Sequence, residues 1–132
     1  MSSGGEIAAS WTRSRPWIEA ALANDGFYDI GYLERGIADG SMRLWAGRDC
    51  AAVTEFIDYP LVKVLNVFAG GGVSGKALTE LTREIEPKIV DWAKANGARK
   101  IIGFGSHEGW KPVCERMGYR HLWTVMQKDI AP

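Results

Sequence analysis

The sequence predicts a single α/β domain, with helices flanking a mixed and mostly antiparallel sheet of about five strands. Three observations predict it. A β-branched run, Val62 to Phe68, feeds a glycine run from Ala69 to Lys76, which opens an amphipathic helix reaching Asn96. Three strand candidates are separated by connections so short that only antiparallel pairing can join them. A further strand candidate follows the helix, and a helical crossover forces it parallel to the strand before the glycines.

The elements follow in order. Met1 to Thr12 is small and polar with no sustained period, so residues 1–13 are expected to form a flexible arm ahead of a domain over 14–130. Ser14 is expected to cap a helix with Pro16 in its first turn and Trp17, Ile18, Ala21 and Leu22 at helical spacing. Asp29 caps a second helix, where Ile30, Leu33 and Ile37 recur until Asp39-Gly40 stops it. Strands are expected at Met42–Ala46, Ala51–Asp58 and Leu61–Phe68, with turns at Gly47-Arg48-Asp49 and Tyr59-Pro60. The helix from Lys76 to Asn96 places Leu78, Leu81, Ile85, Ile89 and Trp92 on one stripe, and Pro87 should kink it. Gly97 closes it in the left-handed conformation. Lys100–Phe104 is the parallel strand, Glu108–Met117 a short helix ended by Gly118, and Arg120–Lys128 a last strand.

Composition narrows the function. Acidic and basic residues balance at 16 each without runs of like charge, which argues against nucleic acid as a partner. No apolar stretch approaches the ~20 residues of a membrane span. The two cysteines, Cys50 and Cys114, match no metal spacing and follow no signal peptide, so a reduced, cytoplasmic protein is expected. With only two histidines, a metal site is not expected. Ser106 and His107 are adjacent, so their side chains diverge and a hydrolase triad is disfavoured. Trp45, Trp110 and Trp123 are assigned to the core.

The strand–glycine–helix junction is an anion site by construction, because backbone N–H groups converge at a helix start. Its members are Gly70, Gly71, Gly72, Val73, Ser74, Gly75 and Lys76. Glu55, in an otherwise apolar strand, is the candidate general base, since an apolar face would raise its pKa.

The element order, the run Leu65-Asn66-Val67-Phe68 into Gly70-Gly71-Gly72-Val73-Ser74-Gly75-Lys76-Ala77-Leu78, and Val113-Cys114-Glu115-Arg116-Met117-Gly118-Tyr119 resemble the Gcn5-related N-acetyltransferase superfamily over roughly Pro16 to Ile130. More narrowly, Arg43-Leu44-Trp45, Val53-Thr54-Glu55, Asp58-Tyr59-Pro60 and Trp123-Thr124-Val125 look like small acetyltransferase-like proteins of tailed phages, prophages and gene transfer agents. The domain departs from the family by being reduced at both ends. The resemblance implies acetyl-CoA or another acyl-CoA as cofactor, with its pyrophosphate on the glycine loop and its pantetheine along Val67 and Phe68. It implies acetyl transfer to an amine on a small molecule or protein. Cys114 stands where the family has a tyrosine acid, and Ala69 or Gly70 near where it has an arginine. The alternative is a phage or prophage accessory protein that kept the fold without the chemistry and meets phage structural proteins. The last strand, if exposed, can pair with a copy of itself in a homodimer.

Overall fold

In the computed structural model, residues 4–23, 26–103, 110–122 and 126–130 are described. Helix α1 spans Gly4–Leu22 and α2 spans Ile30–Asp39. Strands β1 (Met42–Ala46), β2 (Cys50–Asp58) and β3 (Lys63–Gly72) form the antiparallel meander. Helix α3 (Ala77–Glu80), a π-helical turn (Leu81–Ile85) and α4 (Glu86–Ala95) cross over to β4 (Lys100–Gly103), and α5 (Trp110–Arg116) follows. Among the described residues the sheet has the order β1-β2-β3-β4, with β3 and β4 parallel from Val64–Lys100 to Val67–Gly103. The expected last strand has residues 123–125 outside the described ones, and the described residues on either side, 120–122 and 126–130, are not in a strand. Phe104, Ser106, His107 and Glu108 also lie outside the described residues, as does Trp123.

Two apolar layers sandwich the sheet. Ile18, Leu22 and Leu33 of α1 and α2 pack with Met42, Ala51 and Val53 on one face. On the other, Ile85, Ile89 and Ala93 pack with Trp45, Cys50 and Leu65, so Trp45 is core as expected. Leu81, Ile85, Ile89 and Trp92 of the stripe read from the sequence thus face this core, from the π-helical turn into α4. Pro87 interrupts the crossover helix through the π-helical turn before it. The Glu86 N–H reaches back five residues to Leu81 C=O, and α4 restarts with Pro87 in its first turn, where a missing donor is harmless.

Several expectations need correction. The segment expected to be a loose arm is helical from Gly4, and Trp11 Nε1 donates to Glu34 Oε2 at 2.7 Å, tying α1 to α2. Ser14 therefore does not cap a helix. It lies inside α1, fully buried, and its Oγ has no hydrogen-bond partner among the described residues. Pro16 is likewise inside α1 rather than in its first turn. The strand expected from Leu61 starts at Lys63, and Leu61 is exposed. Asp29 does cap α2, its Oδ1 accepting from Tyr32 N–H at 2.8 Å. Gly97 (φ +83°) and Gly118 (φ +98°) take the left-handed conformation that their helix ends require.

Candidate functional site

The largest correction concerns the glycine run. Gly70, Gly71 and Gly72 are not loop residues but the end of β3, paired with Ala52, Ala51 and Cys50. Packing crowds Gly71 and leaves no room for a side chain at Gly72. A Cβ on Gly71 would stand 3.2 Å from the Trp17 carbonyl oxygen of α1, and one on Gly72 would collide with Asp49 C=O and lie 2.7 Å from the Ala77 Cβ. The run is thus the strip where α1 and the β1–β2 hairpin approach the sheet most closely.

The turn proper is Val73–Lys76. The Val73 N–H donates to Asp49 C=O at 2.8 Å, and the N–H groups of Lys76 and Ala77 both converge on Val73 C=O, at 3.0 and 2.9 Å. Gly75 sits at φ +81°, which allows the tight reversal. The amides of Ser74 and Gly75 have no partner among the described residues, and Ser74 and Lys76 are exposed. A groove of about 230 Å³ between the helices is lined by Leu78, Thr79, Thr82, Val113, Arg116 and Met117. A second, of about 480 Å³, is lined by Gly75 and Thr79, the cations Arg48, Lys76 and Arg83, and the carboxylates Asp49, Glu80 and Glu84. Thr79 belongs to both grooves, and Arg116 lines the first. Sequence reasoning singled out Lys76 alone. Arg116 lies within the quoted family-like segment and was the one legible addition.

Next to the turn, Glu80 holds the β1–β2 hairpin. Its carboxylate accepts from Arg48 N–H at 2.7 Å and Asp49 N–H at 2.8 Å, and a side chain on Gly47 would collide with it. Its burial opposes ionisation, but these bonds, the Cys50 thiol and the Arg48 charge together hold the carboxyl below its ordinary range. Burial, with Glu80 beside it, pushes the Cys50 thiol up to about 12, so Cys50 is an inert core thiol.

A bulge separates β3 into two parts. Thr54 pairs with Val67 and Val53 with Ala69, leaving Phe68 as the extra residue. The parallel pairing with β4 is described as far as Val67–Gly103, the residues after Gly103 lying outside the described ones, and β3 runs on to Gly72. Val67 is thus the last residue of β3 with a described β4 partner, and Phe68 follows it at the bulge. Phe68 turns to the α1–α2 face, its ring 4.9 Å from that of Tyr28.

Glu55 lies one pair further along, opposite Asn66. Alternation puts it on the face of Val53, which α1 and α2 cover, and it is half-buried. Burial pushes its carboxyl up from the ordinary range, and hydrogen bonds from Asn66 and Tyr28 pull it partly back. Asn66 is itself buried, and its Oδ1 has no partner among the described residues. Cys114 sits half-buried on α5, its thiol pushed up by burial and by Glu86. The carboxyl of Glu86 is raised by burial, and the phenol of Tyr119 by burial, then by Glu86 and Cys114. These three form one cluster of weak acids beside α5. The structure thus leaves Glu55 and Cys114 in two separate clusters on opposite sides of the sheet. Among the described residues no three His, Cys, Asp or Glu side chains are placed to hold a metal ion. No helix among them is long and apolar enough to cross a membrane.

No protein-family model matches the sequence, and no curated protein is a significant match. Solved structures do match. A predicted acetyltransferase from Clostridium acetobutylicum, determined with acetyl-CoA, is similar at a TM-score of 0.68 and 14% identity, over 97% of this chain and 92% of that one. A probable acetyltransferase is similar at a TM-score of 0.68 and 11% identity, over 89% and 90%. Glucosamine-6-phosphate N-acetyltransferase from Arabidopsis thaliana is similar at a TM-score of 0.53 and 17% identity, over 63% and 58%. The likeness to phage proteins rests on the sequence resemblance alone, and these structures do not bear on it. The two-helix start, the meander, the crossover to a parallel strand and these likenesses together give the chain the mixed α/β fold of the Gcn5-related N-acetyltransferases.

Proposed function

We propose that this chain binds an acyl-coenzyme A and passes its acyl group to an amine. The observation that carries the reading is the turn after β3, whose Ser74 and Gly75 amides have no partner among the described residues, beside a groove lined by α3 and α5. The parallel strands β3 and β4 lie next to it, and an extended, amide-bearing ligand could add to a strand edge there through its own N–H and C=O groups. The residues fit the anionic end as well: Ser74 and Gly75 offer amides, and Lys76 and Arg116 offer charge at the rim of the grooves.

The coenzyme supplies the acyl thioester. Val67 and Phe68 line the extended arm at the bulge. Glu55 takes the proton that the amine sheds, and its raised carboxyl brings it closer to neutral pH, where a base works best. Cys114, its thiol raised by burial, lies in the separate cluster with Glu86 and Tyr119, so the reading gives it no part in the proton transfer at Glu55.

Acetyl-CoA at ~100 times its Kd should raise the stability by about 2.7 kcal/mol in a thermal-shift measurement. Arg116→Ala and Lys76→Ala should each weaken that binding by about five- to tenfold. Release of free thiol in the presence of an amine panel then tests transfer. No shift at saturating acetyl-CoA overturns the proposal.

A further inference from the structure

The sheet has a second end, where β1, β3 and β4 begin and β2 finishes. It lies roughly 30 Å from the Val73–Lys76 turn, the length of β3. On the face covered by α4, side chains from several elements form one row there. The Arg43 guanidinium carbon lies 4.2 Å from the Trp92 ring centre and 4.7 Å from that of Trp45, and the Trp92 and Phe56 rings are 6.4 Å apart. Lys63 Nζ lies 4.5 Å from the Phe56 ring centre and donates to Asn96 C=O at 2.8 Å, closing the end of α4. The Arg99 N–H donates to Lys63 C=O at 3.0 Å, which carries the row on to Arg99. Leu65 and Ile101 belong to the core under α4, so alternation puts Lys63 on this face with Arg99 beside it, and Lys100 on the other.

Arg43 and Arg99 are exposed, and the ion pairs among the described residues, which join Arg15 to Glu19 and Glu34, involve neither. Two carboxylates stand at this end of the face: Asp58, opposite Lys63 in the β2–β3 pairing, and Asp91, one residue before Trp92. Lys94, in the last turn of α4, adds a further cation. With Asp58 set against Lys63, positive charge prevails over the rest of the row. Rings on two sides restrict the Arg43 guanidinium, which leaves a fork of N–H donors suited to a carboxylate. The β2–β3 hairpin ends next to Lys63. Its tip is closed by Tyr59 N–H to Val62 C=O at 3.0 Å and Val62 N–H to Tyr59 C=O at 3.3 Å, and it holds out Leu61, 96% exposed, beside the exposed Tyr59. The rings already carry the chain's own cations, so nucleic acid bases would find no open stacking platform. One projecting leucine offers little area to a lipid surface. A carboxylate-bearing segment with an apolar side chain meets both the charge and the anchor.

We propose that this end of the α4 face is a docking surface for an acidic segment of a partner protein, with Arg43 and Arg99 pairing with its carboxylates and Leu61 and Tyr59 meeting an apolar side chain. The surface is independent of the acyl-transfer reading, and neither requires the other.

The test titrates the whole protein, by fluorescence polarisation, against a labelled and capped peptide of glutamates around one leucine, and against the same peptide with glutamine for every glutamate. The acidic peptide should bind saturably and the glutamine peptide should not. Arg43→Gln should weaken binding by about tenfold and Leu61→Ser by about threefold, whereas Lys100→Gln, on the other face, should change it by less than about twofold. Equal binding of the glutamine peptide, unchanged affinity in folded Arg43→Gln protein, or an equal loss in Lys100→Gln overturns the inference. Should Arg43→Gln not fold, Arg99→Gln, expected to cost about fivefold, decides in its place. A thymidine oligonucleotide or phosphatidylserine vesicles that bind more tightly than the acidic peptide, and lose that binding in the arginine variant, overturn the assignment to a protein partner.

Discussion

Ser14 and Glu86 show how single polar atoms set local stability in this chain. Ser14 Oγ is buried and unpartnered, so its hydroxyl was stripped of water with nothing in return. Ser14→Ala should therefore stabilise the protein by about 1 kcal/mol, read as a higher urea midpoint at unchanged slope. Glu86 acts with pH. Its carboxyl is raised by burial, so between the unfolded and folded values the folded chain holds more protons than the unfolded one, and stability falls as pH rises through that window. Glu86→Gln should remove this fall, leaving the variant more stable than the parent near pH 7 and no more stable near pH 3.5, by denaturant midpoints at about those two values. The same change should let the Cys114 thiol titrate at lower pH, because its negative neighbour is gone.

At the scale of elements, β3 is the one that the sequence hides. Three successive glycines carry almost no strand propensity, so local reading makes them a loop, and only the approach of Trp17 and of the β1–β2 hairpin explains them as strand. The contacts are graded. A Cβ on Gly70 meets Ala51 C=O at an ordinary 3.5 Å, whereas one on Gly72 has no room. Gly70→Ala should therefore change stability by no more than about 0.5 kcal/mol, and Gly72→Ala should cost about 3 kcal/mol, measured side by side in urea. Helix α1 was hidden for a related reason. Gly4 and Gly5 are poor helix formers, and Pro16 and Ser14 imitate a helix start in mid-helix. The meander and the crossover were legible because their signals are local: the turns at Gly47-Arg48-Asp49 and Tyr59-Pro60, the stripe of Ile85, Ile89 and Trp92, and the stop at Gly97. The bulge at Phe68 was not, since it is set by how β3 registers against β2, which no turn or capping residue in the sequence marks.

Across the whole molecule, the candidate site is assembled from parts far apart in the chain, which limits what a sequence can reveal of it. Glu55 was legible as an acid among apolar neighbours, but its bond to Tyr28 depends on how the segment after α1 returns over the sheet. Arg116 lines, with Thr79 and Thr82, a groove that exists only once α5 lies beside α3. The hairpin and the turn, by contrast, are fastened together. Val73 N–H is held by Asp49 C=O, and four residues past the turn Glu80 holds the amides of Arg48 and Asp49. A molecule that stiffens the turn must also steady the hairpin tip bonded to it. The Arg48 and Asp49 amides should then exchange with deuterium more slowly when acetyl-CoA is present, and Glu80→Gln should weaken that slowing. Those two protons make the hairpin tip a gauge of what lies on Ser74 and Gly75.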